Sequence, residues 1–402
     1  MTRNMIVAAV AAAVGGLGFA SASQANGVLY KDGDTYLKIG GRIQMQYYYQ
    51  DPDGGVSSDK LFFRRLRPFI EGSLHPDWKG KFQFDLGKAK GGSEVSIKDA
   101  YFQYKGFEAF NIAFGNKGFP FSREYMTSSK YQQFVERTFV GDAGFGTPEW
   151  NMGIHLDGKS GNLTWAAALV EAQLDPNNSK LDFDTPANNE SDFNQGWMIG
   201  GRVDYHPFGI LKFSQGDFKR EQKATIGISA YTWSNDDDVE NVSTTKTLST
   251  DPSCGSLPCT VIESTTTSPS TEDVDSVTAF EISGAYRNQG ISIDAEYNQI
   301  KSELKVGGVT DGLYKDSETT LDQWMIKGGY MVIPSTLEVV GGYQSQDADN
   351  YAEAWTRISL GANWYIQQHH IKYQLTYRMN SDKNGVKGND EDEVFLQAQF
   401  VF

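Results

Sequence analysis

The chain has 402 residues and a formal net charge of −15, with 42 Gly, 20 Tyr and 24 Phe but only 12 Pro. This negative charge excludes nucleic acid as a partner, because a surface that binds nucleic acid is basic. A mean hydropathy of −0.47 excludes a helical membrane protein but allows a β-barrel, in which half of each strand faces water.

The N-terminus predicts export. Arg3 precedes an apolar run at residues 5–20, and the small residues Ala20, Ser21 and Ala22 stand at its exit. A basic start, a short apolar stretch and small residues at its exit are the parts of a secretory signal peptide. A transmembrane anchor is the alternative, but the run is short and rich in Ala and Gly. We therefore predict a signal peptide at residues 1–25 and a single barrel domain at 26–402.

Residues then alternate with a period of two. Leu37 and Ile39 face one way, whereas Lys38 and Arg42 face the other. About sixteen such strands are predicted, at residues 37–50, 62–74, 81–87, 95–105, 110–115, 150–156, 163–169, 197–206, 223–233, 277–287, 290–301, 321–333, 336–345, 354–367, 369–379 and 392–402. Their length suits tilted strands that span an outer membrane. The prediction is an all-β, transmembrane antiparallel β-barrel with both termini on the periplasmic side and an aqueous lumen.

Short turns alternate with long polar loops along the chain. The longest, residues 234–276, is predicted to be extracellular, and it contains Cys254 and Cys259 within CGSLPC. In an oxidising compartment this spacing favours a disulfide within the loop. A metal site is the alternative, but no further Cys or nearby His completes a set of ligands. The sequence thus predicts no metal and no cofactor.

Residues 116–146 differ from the other loops because they are aromatic and basic. The segment contains Lys117, Arg123, Lys130 and Arg137 among seven Phe and Tyr side chains. An external loop with so many aromatic residues is poorly suited to solvent. We expect a constriction loop that folds back into the lumen. The alternative is an external rim loop that binds nothing.

The last strand, DEVFLQAQFVF, is apolar on one face and polar on the other, and it ends at Phe402. Such a strand suits a wall between lipid and water. A terminal Phe is what outer-membrane barrels present to the barrel assembly machinery. The alternative is an ordinary amphipathic strand at the end of a soluble β domain.

Several linked motifs resemble the phosphate-selective porins O and P. They are GGRIQMQYYYQD (40–51), FFRRLRPFIEG (62–72), DWKGKFQFDLG (77–87), IKDAYFQYKG (97–106), and FGNKGFPFSREYMTSS with FVERTFV (114–140). The resemblance implies a sixteen-stranded, trimeric porin of the bacterial outer membrane that conducts anions. It also implies that an inward Arg/Lys ladder and the folded-in third loop guide phosphate. Arg42, Arg64 and Arg65 match pore arginines of the family, and Arg137 matches a further constriction position.

Guanidinium groups suit this role because they replace part of an anion's hydration shell with charge-assisted hydrogen bonds. By alternation, Arg65 and Arg67 face the lumen, whereas Arg64 faces lipid unless a bulge intervenes. The predicted anion-binding residues are Arg42, Arg64, Arg65, Arg67, Lys117, Arg123, Lys130, Arg137 and Arg202.

The sequence allows three functions. The first is passive diffusion of phosphate or similar small anions. The second is a general or weakly cation-preferring porin, since alternation also turns many carboxylates inward; these are Asp85, Asp99, Asp157, Asp204, Glu281, Asp294, Glu296 and Glu338. The third is a barrel enzyme or an adhesin. The five histidines lack a nucleophile motif, so no enzyme is predicted, and removal of residues 235–272 would test adhesion.

Overall fold

The computed structural model describes residues 28–402 apart from 88–94, 189–191, 237–238, 240 and 251–260. The predicted signal peptide and both cysteines lie outside the described residues. Within them, the regular structure is mainly β-strand, with one short helix, α1 (Arg123–Met126), and 3-10 turns at Ser129–Tyr131, Phe139–Gly141 and Lys383–Gly385. None of the helices in this part of the chain has the length and apolar character needed to cross a membrane.

The described residues form twenty strands. They are β1 (Val28–Asp32), β2 (Thr35–Pro52), β3 (Ser58–His75), β4 (Trp78–Asp85), β5 (Ser96–Tyr104), β6 (Phe110–Gly118), β7 (Trp150–Ser160), β8 (Leu163–Leu174), β9 (Phe183–Asp184), β10 (Gln195–Tyr205), β11 (Lys223–Asn235), β12 (Asn241–Thr250), β13 (Val261–Pro269), β14 (Val274–Asn288), β15 (Ile291–Leu304), β16 (Glu318–Ile333), β17 (Leu337–Asp347), β18 (Trp355–Gln367), β19 (Ile371–Ser381) and β20 (Glu391–Val401).

Sixteen of these strands, all except β1, β9, β12 and β13, pair antiparallel in chain order. Pairing of β2 with β20 closes the sheet, and Gly41 and Phe402 exchange backbone hydrogen bonds of 2.9 and 3.1 Å at this seam. The predicted closed antiparallel barrel of sixteen strands is therefore confirmed. We call the end of the barrel that holds Phe402 the Phe402 mouth, and the opposite end the long-loop mouth.

Burial along the strands is the reverse of that in a soluble domain. In β11, Thr225 and Ser229 are buried, whereas Ile226 is 58% exposed and Ile228 is 52% exposed. Large apolar side chains normally face the inside of a water-soluble protein. Their position on the outer surface, with polar side chains inside, is the pattern of a barrel wall between lipid and water.

The described residues also include a buried apolar cluster. Buried aromatic side chains of segment 116–146, such as Phe119 and Phe139, belong to an apolar cluster with wall residues that include Tyr231, Trp233 and Trp355. The ring centroids of Phe139 and Trp355 lie 4.7 Å apart. The wall strands that contribute residues to this cluster lie between β8 and β18. Strict alternation does not predict such a cluster, because it gives the face of the strand on which a side chain lies and not the side chains that it contacts.

Candidate functional site

Segment 116–146 has little regular structure and depends on capping and side-chain bonds. Helix α1 begins after Ser122, whose Oγ accepts a hydrogen bond of 3.1 Å from the backbone N–H of Tyr125. This cap satisfies an N–H group at the start of the helix that has no partner within the helix. The carboxylate of Glu124, the next residue but one, is buried and forms an ion pair of 2.5 Å with Lys327 of β16.

The same segment forms hydrogen bonds to strands from several parts of the wall. The Nε2 of Gln133 donates to Glu338 of β17 at 2.6 Å, and Asn298 of β15 donates to the carbonyl of Val140 at 2.8 Å. Other wall residues bonded to it are Arg42, Gln44, Arg202, Gln323, Gln344, Lys372, Gln374 and Arg378.

The carboxylates of the later strands take part in this anchoring. Glu296 accepts from the N–H of Glu124 at 2.8 Å, and Glu338 accepts from Tyr365 at 2.6 Å. Asp294 lies 2.7 Å from Arg287. Each of these three carboxylates is at most 4% exposed. They therefore serve as acceptors within a packed interior and are not open to a solution in the lumen.

Two of the predicted anion-binding residues lie in this packed region. Arg202 donates to both carboxylate oxygens of Asp204 at 2.7 and 2.8 Å, and to Glu281 at 2.9 Å. Arg123 lies 3.6 Å from Asp294 and stacks over the ring of Phe213. Both guanidinium groups are thus matched by carboxylates.

The wall formed by β2–β6 carries the other basic side chains. Arg67 binds Asp85 at 2.5 Å and lies over the ring of Trp150, and Lys117 binds Asp157 at 2.9 Å. In segment 116–146, Arg137 donates to the backbone carbonyl of Tyr125 at 3.1 Å. These cations line the side of the barrel opposite the apolar cluster.

Arg64 points inward because of a β-bulge. In the pairing of β2 with β3, Gln44 faces Arg65 and the next residue, Met45, faces Phe63, so Arg64 is the extra residue. Its Nε and Nη2 donate to Glu136 at 2.6 and 3.1 Å, and Arg65 lies 3.6 Å from the same carboxylate. The expectation that Arg64 faces lipid applies to a regular strand. The bulge reverses the direction of Arg64, as the prediction from alternation allowed.

Glu136 is strongly acidic in this setting. Burial alone would raise its pKa, but the guanidinium groups of Arg64 and Arg65 outweigh burial and lower the pKa of Glu136 to about 2. The carboxylate is therefore ionised at neutral pH and neutralises part of the charge of the two arginines.

Arg42 and Lys130 have a different environment. Arg42 is 6% exposed, and its Nη1 donates to the hydroxyls of Ser128 and Ser129 at 3.1 and 2.8 Å. Within the described part of the chain, neither Arg42 nor Lys130 forms an ion pair with a carboxylate. Burial and the neighbouring Arg42 charge lower the pKa of Lys130 to about 8. The pair thus combines two cations with two hydroxyls.

These residues border a cavity of about 290 Å³ near the Phe402 mouth, between segment 116–146 and β2–β6. We call it the inner basic cavity. The charged side chains in its described lining are Arg42, Arg67, Lys81, Lys117, Lys130, Arg137 and a single carboxylate, Asp99. Lys81, the first residue of the predicted strand 81–87, was not predicted as a site residue.

A second cavity of about 600 Å³ lies towards the long-loop mouth and shares Arg67 and Arg137 with the first. We call it the outer chamber. Its other basic side chains are Lys60, Arg64, Arg65, Lys98, Arg357 and Arg378, and its carboxylates are Asp85, Glu136, Asp142, Glu149, Asp182 and Glu393. Burial and the nearby Glu149 and Asp175 raise the pKa of Asp182 to about 7. The outer chamber is therefore mixed in charge, whereas basic side chains outnumber carboxylates in the lining of the inner basic cavity.

The family model for the phosphate-selective porins O and P matches residues 37–306, which is more than half of the chain. No curated protein sequence matches the chain.

Several solved structures share the fold at low sequence identity. An anion-selective porin from Comamonas acidovorans is 11% identical, with a TM-score of 0.57, over 92% of this chain and all of that chain. OmpF of Salmonella typhi, in a complex with daunomycin, is 12% identical with a TM-score of 0.58, over 93% of this chain and 100% of that one. The trimer form of OmpT from Vibrio cholerae is 13% identical with a TM-score of 0.55, over 91% and 99%.

Proposed function

The chain belongs to the phosphate-selective porin O and P family of outer-membrane channels, and we propose that it passes phosphate and similar small anions. The observation that carries this proposal is the lining of the inner basic cavity. Six basic side chains and one carboxylate line it. Arg67, Lys81 and Lys117 are paired with carboxylates, so the excess positive charge there comes mainly from Arg42 and Lys130, although the whole chain has a charge of −15. A positive, partly desolvated constriction favours anions over cations.

The buried carboxylates of the later strands support the same proposal. Glu281, Asp294, Glu296 and Glu338 are enclosed by the packed interior and hold protein donors. Charges that are paired and removed from the water path have little effect on a passing ion. Alternation along the sequence turns both positive and negative side chains inward. A permeating ion therefore meets fewer carboxylates than alternation suggests.

We further propose that segment 116–146 lies within the barrel and narrows it. Its bonds to β2, β10, β15, β16, β17 and β19 support this, since strands on separate sides of a closed barrel share contact with one segment from its interior. The remaining passage runs along β2–β6, from the outer chamber through Arg67 and Arg137 into the inner basic cavity. Arg42, Ser128 and Lys130 offer donors to the oxygens of phosphate there.

The test is a planar-bilayer recording of the purified mature protein in a potassium chloride gradient. We expect the reversal potential to have the sign of chloride permeation, and added phosphate to reduce the chloride current by occupying the cavity. A reversal potential with the opposite sign would favour the second candidate, a general or weakly cation-preferring porin. The carboxylates of the outer chamber are the observation that supports this second candidate.

We propose a homotrimer in the membrane, with contacts between subunits at β4–β6. These strands have only eight or nine residues, against eleven or more in the rest of the barrel wall. Eight or nine residues rise about 26–30 Å along a strand, or roughly 20 Å across a membrane at a 45° tilt, which is less than an apolar band of about 25 Å. A neighbouring subunit covers such a wall better than lipid does.

A porin also has to be exported and assembled in the outer membrane. We propose that residues 1–25 direct secretion and that Phe402 is recognised by the barrel assembly machinery. The position of Phe402 at the seam supports this, because the pairing of β20 with β2 closes the barrel. The disulfide between Cys254 and Cys259 remains a prediction.

A further inference from the structure

A second segment enters the barrel from the opposite mouth. β10 ends at Tyr205 and β11 begins at Lys223, and the 17 residues between them, 206–222, form a connection at the Phe402 mouth, where most other connections are short turns. We call this connection the return segment. Sequence alternation identified it only as a gap between two strands.

The return segment crosses the barrel instead of following its rim. At one end, His206 contacts Thr164 of β8 at 3.0 Å. At the other end, Asp217 accepts from the N–H of Gly290 at 2.7 Å, and the ring of Phe218 lies 4.8 Å from that of Tyr365. These partners lie on walls that are well separated around the barrel. The segment is therefore fixed at both ends.

Its centre, Gln215, contacts segment 116–146. The Oε1 of Gln215 accepts from the N–H of Gln133 at 2.8 Å, and its Nε2 donates to Glu124 at 2.8 Å. The backbone N–H of Gln215 donates to the carbonyl of Tyr131 at 3.1 Å, and its own carbonyl lies 2.8 Å from Nε2 of His369. Gln215 is 1% exposed. One residue thus uses every polar group of its side chain and backbone.

We propose that the return segment is a second constriction element, in which Gln215 is a positioning residue that clamps segment 116–146 from the Phe402 mouth. Glu124 and Gln133 are also the residues that Lys327 and Glu338 hold from the wall, so Gln215 completes their bonds on the side facing the mouth. The clamp keeps Lys130, three residues before Gln133, against Arg42. This inference rests on the proposed function only where it concerns anion preference.

The experiment compares single-channel recordings of the full mature protein, of Gln215→Ala and of Gln222→Ala. Gln222 lies in the same segment but is exposed, so its substitution controls for the loss of an amide in this connection. Loss of two side-chain hydrogen bonds at a buried site raises the population of the released segment roughly tenfold or more. We expect Gln215→Ala to spend about tenfold more time away from the main conductance level, with a higher mean conductance and weaker anion preference. Gln222→Ala should resemble the unsubstituted protein.

A second variant addresses the case in which Gln215→Ala does not fold. Gln215→Glu keeps the acceptor for Gln133 but places a carboxylate against Glu124, and we expect the same change in conductance noise. The inference is overturned if the variants that insert show the same noise and conductance as Gln222→Ala. An altered noise level in a channel that never preferred anions would support the clamp and overturn the proposed selectivity, so the two failures are distinct.

Discussion

The contribution of an arginine to anion binding depends on which groups already accept hydrogen bonds from its guanidinium. Arg202 donates to Asp204, Glu281 and the backbone of segment 116–146, so its charge is compensated within a few ångströms. Among the described residues, the guanidinium of Arg42 donates hydrogen bonds only to the neutral hydroxyl groups of Ser128 and Ser129. Both residues are buried and face inward, but only Arg42 retains an uncompensated charge for a passing anion.

We expect Arg42→Ala to weaken phosphate block of the chloride current about fivefold, because one unit charge near a solvated site contributes about 1 kcal/mol. The measurement is a titration of single-channel chloride current with phosphate. Lys387→Ala is the control, since it removes a cation from an exposed external loop. Equal block in Arg42→Ala and Lys387→Ala would contradict a phosphate site at Arg42.

Lys130 predicts a pH dependence of selectivity. Burial and the charge of Arg42 lower its pKa to about 8, so it is charged at pH 7 and loses its proton as the pH rises towards 9. Deprotonation removes a positive charge from the inner basic cavity, and anion preference should therefore decrease across pH 7–9. Reversal potentials measured at a series of pH values test this.

Lys130→Arg separates this effect from other groups that titrate nearby, such as Asp182. Arginine keeps its charge throughout this range, so the decrease should be smaller in Lys130→Arg than in the unsubstituted protein. A decrease of the same size in both proteins would assign the pH dependence to another group.

The bulge in β3 shows how an element changes what a residue can do. A regular strand would place Arg64 and Arg65 on opposite faces. The extra residue brings both guanidinium groups to Glu136 of segment 116–146, which connects the wall to that segment. Bulges re-aim side chains in this way, but their positions cannot be derived from a period of two.

Glu136→Gln should therefore increase the affinity for phosphate, on the order of fivefold, because it leaves the charges of Arg64 and Arg65 without their carboxylate. The titration of chloride current with phosphate measures this affinity. Glu353→Gln removes the same charge from an exposed external loop and should have little effect. Unchanged or weaker block in Glu136→Gln would show that the ion pair does not limit access to the two arginines.

At the level of elements, the sequence predicted the strands well because lipid and water impose a period of two on every strand. Segment 116–146 differs from the other loops in its aromatic and basic composition, and its position within the lumen stays a prediction. The return segment was missed because its contacts, such as those of Gln215 with Glu124 and Gln133, join residues distant in sequence. Its length of 17 residues between β10 and β11 was the available signal, since a short turn suffices for antiparallel strands.

At the scale of the whole molecule, the proposed position of segment 116–146 divides the interior of the barrel into two parts. Carboxylates of the later strands and aromatic residues of segment 116–146 form a packed side, while cations of β2–β6 line the open side. Net charge and strand alternation could not predict this division, because neither distinguishes one side of the barrel from the other. A chain with an overall charge of −15 can therefore contain a positive passage.

The short wall formed by β4–β6 leads to a prediction about assembly. Phe82 and Phe102 project from its outer surface and border an apolar recess of about 920 Å³. If this wall packs against another subunit, Phe82→Ala with Phe102→Ala removes contact area from every interface of a trimer, because each subunit contributes the same residues. We expect the doubly substituted protein to dissociate in mild detergent, as measured by size-exclusion chromatography with light scattering, while single-channel conductance per barrel is retained.

Ile226→Ala with Ile228→Ala provides the matched control on β11, a strand of thirteen residues whose exposed isoleucines face outward on a wall of full height. These substitutions remove apolar area that lipid would cover, so the oligomer should persist. Dissociation in the β11 variant but not in the variant of the short wall would place the subunit contact at the longer strands. It would also mean that the membrane thins around β4–β6, since a bilayer adapts to a short apolar wall by thinning.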